Sequence, residues 1–165
     1  MTTVLFAHGK ESGPTGRKIE ALGRIAQEEG YQTLSPDYRD LRDPEARVER
    51  LLGIATGLSG ACVLVGSSMG GYTSLVASSQ LPACCGLFLL APAIGLAGYA
   101  VNDPACPSCP VEIVHGWHDD IVPVNNVVSW ARRHATTLHL VNDGHRLETS
   151  LGWLVESFRA FLRRL

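Results

Sequence analysis

Short apolar runs and longer amphipathic stretches alternate along the chain. Val4–His8, Tyr31–Ser35, Ala61–Val65, Gly86–Ala91, Val111–His115 and Thr137–Val141 are rich in β-branched and apolar residues. Most show little polar alternation, as strands do when both faces of a sheet are covered. The stretch from Thr15 to Glu29 has helical spacing, with Ile19, Leu22, Ile25 and Ala26 on one face and Gly30 as its stop. Asp43-Pro44-Glu45 starts a second helix: a cap, a proline at the first position and an acid in the first turn. Val48, Leu51, Leu52 and Ala55 form its apolar stripe. Met69–Gln80, Asn125–Arg133 and Leu147–Arg164 complete the helices, the last with Leu151, Leu154, Phe158, Phe161 and Leu165 on one side. No repeat or linker divides residues 1–165. Six strands alternating with helices predict one α/β domain, a doubly wound parallel sheet with helices on both faces.

One junction stands out. In "VLVGSSMGGYT", Val63 to Thr73, only Gly66-Ser67-Ser68 separates a strand from a helix. Gly-x-Ser-x-Gly in that context makes a strained turn that lifts a serine hydroxyl above the sheet. Gly66 and Gly70 bracket Ser68, whereas Ser67 would need glycine where Val65 and Met69 stand. Ser68 is therefore the candidate nucleophile. Two partners follow in chain order. Asp119 and Asp120 lie on the loop after the fifth strand, where the acid belongs, and composition does not choose between them. His145 follows the sixth strand and is the candidate general base. Backbone donors for a developing oxyanion are expected from the N–H of Met69 and from the loop after the first strand. In that loop Lys10 is the candidate donor and Gly9 the residue that permits close approach.

Composition narrows the alternatives. A net charge of −2 offers no basic face for nucleic acid. No apolar run reaches the roughly 18–20 residues that span a bilayer, and "MTTVLFAHG" lacks the basic start of a secretion signal. Five cysteines cannot all pair, so reduced thiols in a cytoplasm are expected. Cys62, Cys84 and Cys85 look like core residues, and Cys106-Pro107-Ser108-Cys109 is one pair, too few for a zinc site. Gly9-Lys10 is followed by Glu11 rather than Ser or Thr, so the phosphate-loop pattern fails. No cofactor or metal is expected.

Taken together, "AHGKESGPTGRK", "LVGSSMGGYTS", "HGWHDDIVPV" and "NDGH" resemble the α/β-hydrolase superfamily, and most of all its small lidless bacterial esterases. The resemblance covers nearly the whole chain. It implies Ser68, Asp119 and His145 as a catalytic triad, with Met69 and Lys10 as oxyanion donors. In the superfamily's G-x-x-D-x-x-V-P loop, Gly116 and Val122-Pro123 put Asp119, not Asp120, at the acid position. Asp120 should then face solvent or cap the turn near Ile121. Larger members carry two extra antiparallel strands, for which there is no room before Val4, and many insert a cap domain where only Pro92–Pro110 stands here. The expected activity is hydrolysis of carboxylic esters or thioesters with small or short acyl groups, on small soluble substrates and away from membranes. Two readings compete with it: an amidase or peptidase using the same residues, and a non-catalytic binding module on a hydrolase scaffold.

Overall fold

The computed structural model describes Met1–Leu165. It has strands β1 (Thr3–Ala7), β2 (Gln32–Leu34), β3 (Cys62–Ser67), β4 (Cys84–Leu90), β5 (Val111–Gly116) and β6 (Thr137–Val141). The helices are α1 (Arg17–Glu28), α2 (Pro44–Thr56), α3 (Met69–Ser78), α4 (Val124–His134) and α5 (Leu151–Leu162). All six strands are parallel, as the apolar runs predicted, and they lie in the order β2-β1-β3-β4-β5-β6.

Alternate strand residues feed two cores. Val4, Phe6, Val63, Val65 and Phe88 pack under α1 and α5, against Leu22, Ile25, Phe158 and Phe161. Leu5, Ala7, Leu64, Leu87 and Leu89 face the other way, under α2, α3 and α4, against Leu51, Leu75, Val127 and Trp130. With both faces covered, the central strands have no polar side to display, which explains their unbroken apolar sequence. The register aligns Ala7 with Gly66 and Ser67 with Leu90, so the strands end together along one carboxyl edge of the sheet. Open α/β sheets place their ligands outside this edge.

Two of the helix ends read from sequence follow the expected chemistry, and a third is an exception. Asp43 accepts hydrogen bonds from the N–H groups of Glu45 and Ala46, and Gly30 closes the α1 turn at φ 84°. The exception is α5, which begins at Leu151 rather than Leu147. Leu147 lies one turn before Leu151 and is fully buried, so its spacing reads as helical. It is held instead in a loop at φ 54°. Leu165, expected on the buried side of this helix, is 41% exposed, and Leu162 is buried instead.

Residues 92–110 form no cap domain. Asn126 Nδ2 donates to Ile94 O at 3.1 Å, Trp130 Nε1 to Pro104 O at 2.9 Å, and Arg133 pairs with Asp103 at 2.6 Å. The segment is thus strapped to α4. All five cysteines are free, and Cys109 Sγ lies 3.8 Å from Cys84 Sγ. No helix is long and apolar enough to cross a membrane.

Candidate active site

At the end of β3 the backbone reverses within one residue. Ser68 has φ 56° and ψ −117°, a conformation that few non-glycine residues adopt. It is held there by Ser68 N–H donating to Leu90 O at 2.9 Å and Ser68 O accepting from Ala93 N–H at 3.0 Å. The flanking glycines are steric requirements: a Cβ on Gly66 would stand 2.2 Å from Gly70 O, and one on Gly70 2.0 Å from Ala7 O. Gly9 is under no such constraint, since a Cβ there would meet Ser68 Cβ at an ordinary 3.5 Å.

A chain of hydrogen bonds runs from this turn across the sheet edge. His145 Nε2 is 2.9 Å from Ser68 Oγ, and His145 Nδ1 is 2.8 Å from Asp119 Oδ2. A carboxylate only accepts, so Nδ1 carries the proton and Nε2 is free to accept from the hydroxyl. Ser67 makes no hydrogen bond with His145. Asp119, on the β5–α4 loop, has a side chain with no solvent exposure. Its Oδ1 accepts from the N–H groups of Ile121 at 2.9 Å and Val122 at 2.7 Å. The cap near Ile121 considered for Asp120 is therefore made by Asp119. Asp120 is exposed and lines the cleft.

Three residues around this chain escaped the sequence reading. His115 is fully buried at the end of β5, with Nε2 3.0 Å from Val122 O and 3.3 Å from Asp119 Oδ2. Burial lowers its pKa against the pull of Val122 O and Asp119, so it sits neutral behind the acid. Asp143 organises the loop that carries His145, accepting from Gly144 N–H and Ser150 N–H at 2.8 Å each. Burial opposes its ionisation, but hydrogen bonds from Thr149, Ser150 and Gly144 prevail and keep its carboxyl below the usual range. Lys18, whose pKa burial lowers, donates to Arg146 O at 2.8 Å and so ties α1 to the same loop. Histidine beside glycine at a strand end was the one visible signal for His115. Asp143 and Lys18 carry none.

Ser68 and His145 open onto a cleft of about 930 Å³, walled by Leu22, Leu96, Tyr99, Ile121 and Leu151. Lys10 lines it from the β1–α1 loop, and its N–H makes no hydrogen bond within the chain. Met69 opens α3, which sets its N–H at the positive end of that helix.

A parallel six-stranded sheet with this turn at the end of its third strand defines an α/β hydrolase, and the chain belongs to the α/β-hydrolase superfamily. A solved structure from Xanthomonas campestris pv. campestris, assigned to the hydrolases of that superfamily, is 36% identical over 99% of both chains, with a TM-score of 0.89. Est1E from Butyrivibrio proteoclasticus shares the fold at 20% identity and TM-score 0.81, over 99% of this chain and 87% of that one. Mouse alpha/beta hydrolase domain-containing protein 10 does so at 18% identity and TM-score 0.82, over 98% and 90%. No protein-family model and no curated protein sequence matches the chain.

Proposed function

We propose that the protein is a serine hydrolase that cleaves small or short-acyl carboxylic esters, and thioesters of the same size, through an acyl-enzyme on Ser68. The supporting observation is the chain Ser68 Oγ–His145 Nε2–His145 Nδ1–Asp119 Oδ2, with links of 2.9 and 2.8 Å, set on a serine at φ 56°. His145 takes the hydroxyl proton as Ser68 Oγ attacks the acyl carbon, then returns it to the departing alkoxide or thiolate. Asp119 holds the required imidazole tautomer and stabilises the imidazolium. The N–H groups of Met69 and Lys10 receive the oxyanion. Water, activated by the same histidine, attacks the acyl carbon and releases the acid and Ser68. None of these steps requires a cofactor or metal. The short strapped segment 92–110 suits soluble substrates, and five free thiols suit a reducing cytoplasm.

Labelling with a fluorophosphonate probe and turnover of short p-nitrophenyl esters test this reading. Ser68→Ala should abolish both, while Ser67→Ala keeps most activity. An active Ser68→Ala with a dead Ser67→Ala would reverse the nucleophile assignment. A wild-type protein that takes no probe and turns over no ester would point to a binding module. Matched ester and anilide substrates separate esterase from amidase.

A further inference from the structure

A buried cation without a counterion lies beneath the β1–α1 loop. Arg47, on α2, is 2% exposed, and its hydrogen bonds all go to carbonyl groups. Nε donates to Leu41 O at 2.9 Å. Nη1 donates to His8 O at 3.0 Å and, more weakly, to Gly9 O at 3.4 Å. His8 is 1% exposed and grips the same loop. Its Nε2 accepts from Tyr38 N–H at 2.9 Å, which leaves the proton on Nδ1 to donate to Gly9 O at 2.8 Å. A guanidinium taken out of water without a carboxylate is costly, and apolar side chains often replace buried ions without loss of stability. Packing alone does not explain an arginine at this position.

Peptide geometry connects the grip to the cleft. In a planar trans peptide the C=O and the following N–H point in opposite directions. Gly9 C=O is drawn toward Arg47 and His8, so Lys10 N–H points away from them. That N–H has no partner within the chain, and Lys10 lines the cleft beside Ser68. We propose that Arg47, acting with His8, is a positioning residue that aims the Lys10 N–H at the oxyanion formed on a Ser68-bound acyl group. The buried positive charge also favours the anion at that place. This rests on the reading of Ser68 as nucleophile. Arg47 itself touches no reacting atom.

Arg47→Met and Arg47→Lys test the proposal with three measurements: steady-state kinetics on a short p-nitrophenyl ester, thermal melting, and ¹H–¹⁵N spectra of the Gly9 and Lys10 amides. Loss of one oxyanion donor costs about 10²–10³-fold in turnover. Arg47→Met should therefore lose about 10²-fold in kcat with KM within about threefold, while melting within a few degrees of wild type. Arg47→Lys, which keeps the charge, should recover part of that loss. A folded Arg47→Met that retains a third or more of wild-type kcat overturns the proposal. If Arg47→Met fails to fold, Arg47→Lys decides: a loss of about tenfold or more supports the proposal, and a smaller loss overturns it. Should the wild-type protein neither turn over esters nor take the probe at Ser68, the failure lies with the proposed function. The spectra then decide the positioning: resonances that move at Gly9 and Lys10 in the folded variants support it, and unmoved ones overturn it.

Discussion

Asp119 uses both carboxylate oxygens at once, and this separates it from the neighbouring Asp120. Oδ1 caps the turn through Ile121 and Val122, while Oδ2 faces His145 at 2.8 Å and His115 at 3.3 Å. An asparagine keeps one acceptor oxygen. If that oxygen stays on the turn, the amide N–H₂ is left facing His145 and disfavours the imidazole tautomer that can accept the serine proton. The comparable change in a serine protease costs about 10⁴-fold in turnover. Asp119→Asn should lose several orders of magnitude in kcat, whereas Asp120→Asn, exposed and without a hydrogen bond in the chain, should lose less than about tenfold, or about 1.4 kcal/mol. Equal losses in two variants with native circular dichroism would show that the geometry does not choose the acid. The sequence alone placed both aspartates on the right loop. The choice of Asp119 came from the resemblance, through the G-x-x-D-x-x-V-P spacing, and its physical basis is the pair of N–H groups at Ile121 and Val122 that hold Oδ1.

At the scale of elements, legibility follows burial periodicity. β1, β3 and β4 could be read because their inner positions are almost all apolar, β5 because Val111, Ile113 and Val114 are, and α2 because Asp43-Pro44 announces its start. The start of α5 was misread because Leu147, Leu151, Leu154 and Phe158 keep helical spacing across a loop. Leu147 is buried from outside the helix, at φ 54°. Arg47 was invisible for the opposite reason, since a charged residue on an amphipathic helix reads as solvent-facing. The loop before α5 is built around Asp143, whose carboxylate accepts from Gly144 N–H and Ser150 N–H on either side of His145. Removing that acceptor leaves partly buried donors unpaired, a cost of about 1–3 kcal/mol. Asp143→Ala should therefore melt several degrees lower and lose kcat by more than the folded fraction explains, because His145 is no longer fixed. A variant with full kcat and a lowered melting temperature would assign Asp143 to stability alone.

Across the whole molecule, α1 and α5 share one face of the sheet although more than 120 residues separate them in sequence. Phe88, Phe158 and Phe161 fill the interior of that layer, and Glu29 closes its rim. Glu29 Oε1 accepts from Arg159 Nη1 and Arg163 Nη2 at 2.8 Å each, and Oε2 from Arg163 Nε at 2.9 Å. These bonds, Arg163 first and Arg159 next, pull the Glu29 carboxyl down to about 2. A free glutamate titrates near about 4.3, so the folded state prefers the ionised form more strongly than the unfolded chain does. The stabilisation is complete above about pH 4.3 and is lost as pH falls toward about 2. Glu29→Gln should accordingly melt below wild type at neutral pH. The gap should narrow between about pH 4.3 and pH 2, because protonation then gives wild type the same neutral side chain. Other carboxylates titrate in that range too, but they do so in both proteins and cancel in the difference. Arg163 is 62% exposed, so salt should shrink the gap at neutral pH as well. A gap that stays constant down to pH 2 and does not respond to salt would mean that Glu29 joins the two helices by packing rather than by charge.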